Sequence, residues 1–116
     1  MMSSWLVGRR IWMYTEVVDF RKQLDGLVGI IGNEMGLKAE YGIYVFRNRS
    51  RDKIKRVLWD RNGFIMGYKR LERGRFDFPE EDDEIIKMDL SQLEMLISGM
   101  PMVRVGKREK MDLFLT

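Results

Sequence analysis

The sequence contains neither cysteine nor histidine. Without cysteine, the chain can form no disulfide framework and no thiolate metal site. Without histidine, it lacks the Ser-His and Cys-His catalytic pairs and the most common zinc ligand. It also has no run of 18 apolar residues, the length that a membrane-spanning helix requires. These absences argue against a disulfide scaffold, a histidine-dependent enzyme and a transmembrane protein.

The composition that remains is typical of a soluble globular domain. The 116 residues are 45% hydrophobic and 34% charged, which predicts one folded domain over residues 1–116. Near the N-terminus, Trp5, Leu6 and Val7 form a short apolar run that is followed at once by Gly8 and two arginines. A secretory signal has a longer apolar run that follows its positive charges. The sequence therefore predicts a cytoplasmic protein.

The charges are segregated along the chain, although the formal net charge is only +3. Residues 41–76 carry eleven Lys or Arg side chains and three acidic ones, for a net charge of +8. Residues 77–98 carry eight acidic side chains and one lysine, for a net charge of −7. Such blocks create a strong local field if the fold keeps them apart. The alternative is that the two blocks neutralise each other in the folded protein.

The first third of the chain predicts a strand and then a helix. Residues 11–18 are rich in aromatic and β-branched side chains, which favours a strand. Asp19 stands where an N-cap would accept backbone N–H bonds. Apolar residues then recur from Leu24 at three- and four-residue spacing, which predicts a helix over 19–35. Gly36 is well placed to end that helix in the left-handed conformation.

The central part of the chain predicts an antiparallel meander. Residues 42–46, 53–59 and 64–71 are rich in β-branched and aromatic side chains. The second and third segments are joined by Asp-Arg-Asn-Gly at 60–63, a strong hairpin signal. A turn at Arg73-Gly74 leads to a short predicted strand at 75–78.

The last third predicts an acidic loop, a strand and a short helix. Residues 80–84 are all acidic, and 85–88 can form one more strand. Ser91 and Glu94 have the spacing of a capping box, and Gly99 with Pro101 should end the helix. Residues 102–116 could be a strand or a tail. We therefore expect an α+β fold: an antiparallel β-meander of four to five strands, with one helix before it and one short helix after it. The residues expected to be buried in the two helices are Leu24, Ile31, Leu93 and Ile97.

Two basic clusters in the meander form the candidate nucleic-acid-binding site. Arginine and lysine side chains along a strand edge and its turns can reach successive phosphates. The alternative is an ordinary solvated hairpin. Trp59, Phe64, Tyr68 and Phe76 could stack on unpaired bases, although such residues belong to the core more often. The candidate DNA-binding residues are Arg47, Arg49, Arg51, Lys53, Lys55, Lys69, Arg70, Arg73 and Arg75.

No acidic constellation in the sequence supports an enzyme. Metal-dependent nucleases need several carboxylates around a divalent cation, and a common signature places an acid two residues before a lysine. No Asp or Glu in this sequence has a lysine at that spacing. The glycines at 26, 29 and 32 lack the spacing and the following lysine of a phosphate-binding loop. We therefore predict a protein that is not an enzyme and that has neither a cofactor nor a metal ion.

Several blocks of the sequence resemble the TnpB-type accessory proteins of the bacterial insertion-sequence family numbered sixty-six, which are distinct from the RNA-guided nucleases also called TnpB. The resemblance covers about residues 16–100. The opening block reads Asp-Phe-Arg-Lys at 19–22, where the family usually has Asp-Met-Arg-Lys. The matching blocks lie at 18–22, 24–27, 45–49, 52–55, 58–60, 62–64, 68–76 and 90–99.

The resemblance implies a role in DNA transposition beside a separate, larger transposase. It carries over no catalytic residue. Two functional hypotheses follow. In the first, the accessory protein binds DNA through its basic meander. In the second, it is an adaptor that docks on the transposase without contacting DNA, and its basic surface meets an acidic partner protein.

Overall fold

The computed structural model describes residues 9–100, which form one five-stranded sheet with a helix on each face. Residues 102–116, predicted as a strand or a tail, lie outside the described residues. In chain order the elements are β1 (Arg10–Val17), α1 (Leu24–Asn33), a single 3-10 turn (Ala39–Tyr41), β2 (Gly42–Arg47), β3 (Lys53–Asp60), β4 (Gly63–Arg70), β5 (Ile85–Met88) and α2 (Leu90–Ser98).

The sheet has the order β4-β3-β2-β1-β5 and is mixed, not wholly antiparallel as predicted. The meander β2-β3-β4 is antiparallel, and β5 also runs antiparallel to β1. However, β1 pairs with β2 in parallel. A parallel pair needs a long crossover connection, and residues 18–41, which include α1, provide it. The alternation of apolar residues predicted the strands, but it carries no information about which strand lies beside β1.

Helix α1 starts five residues later than predicted, at Leu24. Asp19 does not cap the helix, because residues 19–22 form a separate turn. In that turn the Asp19 carboxylate accepts hydrogen bonds from the backbone N–H and the guanidinium of Arg21. Gln23 is the N-cap and makes no side-chain capping bond. At the other end the helix stops at Asn33, two residues before the predicted end, and Gly36 adopts the predicted left-handed conformation, with a φ of 67°, in the turn that follows.

Helix α2 begins at Leu90 with a capping box that differs from the predicted one. The Asp89 carboxylate accepts a bond from the backbone N–H of Gln92, and the Gln92 side chain accepts one from the backbone N–H of Asp89. Ser91, the predicted cap, instead donates its hydroxyl to Asp89. Aspartate and serine are about equally good caps, so local sequence did not separate the two registers. Gly99 ends the helix in the left-handed conformation, as predicted.

Residues 75–78, predicted as the last strand of the meander, do not form a strand. They cross the face of the sheet that carries α2 and bury the rings of Phe76 and Phe78, whose centroids are 5.9 Å apart. A backbone bond from the Phe76 N–H to the Arg51 carbonyl joins this segment to the turn between β2 and β3. The alternating aromatic residues were thus a signal of burial and not of strand pairing. The strand predicted at 85–88 is confirmed as β5.

The sheet is covered on both faces, and each face has its own core. Alternate residues of β2 enter opposite cores, so Ile43 and Val45 face α2 while Tyr44 and Phe46 face α1. The buried residues on the α2 side are Ile11, Met13, Ile43, Val45, Ile54, Leu58, Phe76, Phe78, Met88, Leu93 and Leu96. Those on the α1 side are Tyr14, Val18, Leu27, Ile31, Met35, Ala39, Tyr44, Phe46 and Val57.

The helices bury part of the predicted set of core residues. Ile31 and Leu93 are buried as expected, whereas Leu24 and Ile97 pack at the edges of the two cores. Neighbouring residues on the same helices take the central positions, namely Leu27 in α1 and Leu96 in α2, and both are fully buried. The predicted apolar stripes, which include Leu27 and Leu96, therefore face the two cores, and only Leu24 and Ile97 are less buried than expected.

We predict that Leu93→Ala lowers the free energy of unfolding by about 2–5 kcal/mol, because it leaves a cavity beneath α2. Leu93 is only 3% exposed. Glu94→Ala, an exposed substitution in the same turn, is the matched control and should change stability by less than about 0.5 kcal/mol. Urea denaturation followed by circular dichroism measures both. An effect of Leu93→Ala no larger than that of the control would show that α2 is not part of the core.

Candidate nucleic-acid interface

The two basic clusters of the sequence meet at one end of the sheet, where β2 ends, β3 begins and β4 ends. Backbone bonds join them directly. The Leu71 N–H donates to the Asp52 carbonyl, and the Phe76 N–H donates to the Arg51 carbonyl. We call this surface, formed by residues 47–53 and 69–75, the basic end of the sheet. The fold therefore brings the two clusters onto one surface.

Asn48 holds the turn between β2 and β3 in one conformation. Its side chain is 9% exposed, donates to the Asp52 carboxylate at 2.7 Å and accepts from the backbone N–H of Lys53 at 3.0 Å. The bond from Asn48 lowers the pKa of Asp52 below its ordinary value. Arg51, inside this turn, has a φ of 63°. The basic turn is thus a fixed platform on which Arg49 and Arg51 are displayed.

Three of the nine predicted site residues are exposed arginines with no partner. Within residues 9–100 the structure shows no hydrogen bond or ion pair from the side chain of any of them. Arg49 lies on the turn between β2 and β3, and the other two lie on the turn after β4. Their guanidinium groups face solvent, as a phosphate-binding group requires. These residues are Arg49, Arg73 and Arg75.

Three more of the predicted residues form weak ion pairs at the surface. Arg51 lies 3.9 Å from Glu80, Lys53 lies 3.6 Å from Asp52, and Arg70 lies 2.9 Å from Glu72. Exposed pairs of this kind contribute only about 0–1 kcal/mol. A phosphate can therefore compete for these cations at little cost in stability.

Arg47 and Lys69 donate to backbone carbonyls of neighbouring elements. The Arg47 Nε donates to the Thr15 carbonyl at 3.1 Å, next to a break in the register between β1 and β2. Burial lowers the pKa of Arg47 below its ordinary value. The Lys69 Nζ donates to the Ile97 carbonyl at 2.7 Å. This carbonyl lies in the last turn of α2, where the negative end of the helix dipole stabilises a cation. Both side chains tie the sheet to other elements.

Lys55 is a buried lysine, only 4% exposed. Its Nζ donates to the carbonyls of Phe20 at 3.0 Å and Lys22 at 2.8 Å. The same ammonium lies 5.0 Å from the ring centre of Phe20 and 5.7 Å from that of Tyr68. Burial lowers the pKa of Lys55 below its ordinary value. Lys55 therefore fastens the 19–22 turn onto β3 and β4 and presents little charge to solvent.

Arg21 and Lys22 are not among the residues that the sequence predicts for the site, although the fold brings both to the basic end. The parallel pairing carries the chain past Val17 at the end where β2 finishes, and the Val18 N–H donates to the Arg47 carbonyl. The Arg21 side chain is 91% exposed and pairs with Asp19 at 2.6 Å, which lowers the pKa of Asp19 to about 2. The Asp-Phe-Arg-Lys block at 19–22 was the sequence signal that could have identified these two cations as candidates.

An open groove of about 930 Å³ lies between the 19–22 turn and the turn between β2 and β3. Lys55, Met66 and Tyr68 belong to its sheet-side lining, and four cationic side chains in all line it against one carboxylate. The groove is partly apolar and partly charged, as ligand sites commonly are. The residues lining it are Val17, Val18, Asp19, Phe20, Arg21, Gln23, Asn48, Arg49, Ser50, Lys53, Lys55, Met66 and Tyr68.

The acidic segment borders the basic end without covering it. The Thr15 hydroxyl donates to the backbone carbonyls of Asp83 and Glu84, which fixes the loop beside β1. Arg51 and Glu80 form the ion pair that bridges the two charge blocks. Residues 81–84 are exposed, and their carboxylates have no ion-pair partner within residues 9–100. Most of the segregated charge in the sequence thus remains segregated at the surface.

Between residues 9 and 100, no three acidic side chains come together in a way that could hold a metal ion. The helices of the same region are too short and too polar for any of them to cross a membrane.

Comparison with known proteins identifies the family of this chain. Residues 9–107 match the family described as IS66 Orf2 like protein, and the chain belongs to that family. It is 34% identical over 102 residues to the uncharacterized protein y4jC of Sinorhizobium fredii, covering 87% of each chain. It is also 33% identical over 91 residues to the uncharacterized protein y4hO of the same organism, covering 78% of this chain and 79% of the relative. No solved structure matches. The family supports the role of an insertion-sequence accessory protein, as the sequence resemblance implied.

We predict that Lys55→Met lowers the free energy of unfolding by about 1–3 kcal/mol, because two carbonyls lose their buried donor. Lys53→Met is the matched control, since Lys53 lies on the same strand and face but pairs weakly with Asp52. It should cost no more than about 1 kcal/mol. Thermal or urea unfolding of the two variants provides the comparison. Equal losses would contradict the structural role of Lys55.

Proposed function

We propose that this insertion-sequence accessory protein assists transposition by binding DNA through the basic end of its sheet. The observation that carries the proposal is the convergence of exposed cations from three separate chain segments at that end. Arg21 comes from the turn after β1, Arg49 from the turn after β2, and Arg73 from the turn after β4. Cations at several separate points of one surface suit the regularly spaced phosphates of DNA.

The contacts of the nine predicted residues support a division of labour in this proposal. The phosphate-binding members are those that are exposed or weakly paired. Arg47, Lys55 and Lys69 instead hold the platform, because each donates to a backbone carbonyl. Phosphate contacts position a protein on DNA but carry no sequence information, so the proposal concerns affinity and not a specific target. The phosphate-binding members are Arg49, Arg51, Lys53, Arg70, Arg73 and Arg75.

The rival function is an adaptor that docks on the transposase, its basic surface meeting an acidic protein. The free edge of β4 favours this rival, because within residues 9–100 that strand pairs only with β3. An exposed edge can accept a strand from another protein. Ile65 on β4 is 37% exposed, which adds some apolar surface to that edge. The two functions differ in salt dependence, since phosphate contacts lose affinity steeply as salt rises.

We propose a non-enzymatic role in the cytoplasm, where the DNA of the element lies. We expect purified protein to leave supercoiled plasmid uncut in the presence of Mg²⁺ or Mn²⁺, because the sequence has no histidine and no compact acid-lysine signature. Agarose gel electrophoresis after prolonged incubation measures this. Metal-dependent cleavage that disappears on substitution of one specific carboxylate would show that the protein is a nuclease.

The triple variant Arg49→Ala, Arg51→Ala, Lys53→Ala should bind any DNA more weakly than wild type while remaining folded. If each residue contacts one phosphate, the slope of log affinity against log salt should fall by about three units. Fluorescence anisotropy with a duplex from the transposon end and with an unrelated duplex measures both quantities.

A charge-matched control removes three exposed cations from the opposite end of the sheet. The control is Arg10→Ala, Lys38→Ala, Arg61→Ala, since Arg10 begins β1, Lys38 precedes β2 and Arg61 lies in the β3-β4 hairpin. It should retain most of the wild-type affinity and salt slope. Equal losses in the two triple variants would mean that net charge and not the basic end drives binding. Failure of wild type to bind any DNA at low salt would favour the adaptor.

A further inference from the structure

The groove beside the basic end combines a cationic rim with one exposed aromatic ring. That ring belongs to Tyr68, which lies on the sheet side of the groove and is 52% exposed. Arg21 lines one wall, while Arg49 and Lys53 line the other. The single carboxylate of the lining, Asp19, is already paired with Arg21. The groove therefore offers an apolar stacking surface within a net positive boundary.

We propose that this groove binds single-stranded DNA, with a base stacked on Tyr68 and the flanking phosphates on Arg49 and Lys53. The inference rests on the proposed DNA-binding function and names its substrate: unpaired bases next to the duplex-binding surface. Sequence-tolerant binding of single strands commonly combines a cationic groove with aromatic rings on which bases stack. A base inside a duplex is stacked on its neighbours and cannot offer its face to Tyr68.

The other aromatic side chains that could have stacked on bases have different roles. Phe76 is 2% exposed and lies in the core on the α2 side. Trp59 and Phe64 pack edge to face, 4.9 Å apart, near the β3-β4 hairpin at the opposite end of the sheet. Of the four rings that the sequence offered, Tyr68 alone lies among the cations of the groove.

The ring of Tyr68 is held in place before any ligand binds. It packs against Phe20 with ring centres 6.5 Å apart, and the Lys55 ammonium lies within 6 Å of both ring centres. Lys55 in turn holds the carbonyl of Phe20, so the wall and the sheet-side lining of the groove are joined. Because the site is already ordered, binding costs little conformational entropy. The mixed lining also suits a nucleotide better than a purely apolar ligand.

Tyr68→Leu keeps an apolar side chain but removes the aromatic face, so it tests the stacking directly. We expect it to weaken binding of a labelled oligo(dT) by roughly 5- to 100-fold, since a single base stack has about that effect. Tyr68→Phe, which keeps the aromatic ring, should bind oligo(dT) with wild-type affinity. Binding of a duplex should be unchanged in both variants. Tyr41→Leu is the matched control, because Tyr41 is 72% exposed beside Lys38 at the opposite end of the sheet.

A second measurement on wild-type protein maps the contact without any substitution. Oligo(dT) carrying 5-iododeoxyuridine should crosslink on irradiation to peptides from the groove lining, with Tyr68 or Phe20 as the modified residue. Crosslinks confined to other parts of the chain would overturn the proposal. This measurement holds even if Tyr68→Leu proves unstable in thermal unfolding.

The outcomes separate this inference from the function on which it rests. If folded Tyr68→Leu binds oligo(dT) as wild type does, the groove is not a stacking site. The broader function then still stands, provided that duplex binding remains sensitive to the Arg49, Arg51 and Lys53 substitutions. If wild type binds neither DNA form at low salt but binds an acidic peptide of the transposase, both proposals fail and the groove is a protein-docking site.

Discussion

The parallel pairing of β1 with β2 is the constraint on which the rest of the structure depends. It forces residues 18–41 to cross one face of the sheet, which places α1 there and creates the first core. It also brings the turn at 19–22 to the end where the basic meander displays its cations, with the Val18 N–H bonded to the Arg47 carbonyl. Antiparallel pairing would send that turn to the opposite end. The groove exists because the two segments meet.

Buried polar side chains then fix the geometry of the basic end. Asn48 closes the turn between β2 and β3 by serving as donor to Asp52 and acceptor from Lys53. Lys55 spans from β3 to the carbonyls of the 19–22 turn. Buried polar groups are costly unless they are satisfied, so each of them favours one arrangement of the chain around it. Part of the positive charge of the sequence is thus used for architecture, and the remainder faces solvent.

The charge pattern has a structural consequence of its own. The acidic loop lies beside the basic end but neutralises little of it, since the ion pair between Arg51 and Glu80 is long and exposed. Exposed pairs of this kind are weak and are screened by salt. A strongly positive surface beside a strongly negative one produces a directional field although the net charge of the chain is small. Such a field orients an approaching polyanion toward the cationic side and away from residues 80–84.

The sequence by itself determined the class of fold, most of the strands, the hairpin at 60–63, the left-handed conformations of Gly36 and Gly99, and the family. These features depend on local patterns: apolar periodicity, turn residues and short motifs. It did not determine the partner of β1, the start of α1, the capping register of α2 or the burial of Phe76 and Phe78. Each of these depends on which distant segment supplies a hydrogen bond or a cover, and local sequence carries no such information. For the same reason Lys55 looked like its neighbours Lys53 and Arg56 in sequence. Only the tertiary structure decided that its ammonium would bind two carbonyls, while Arg49, a few residues earlier, would face solvent.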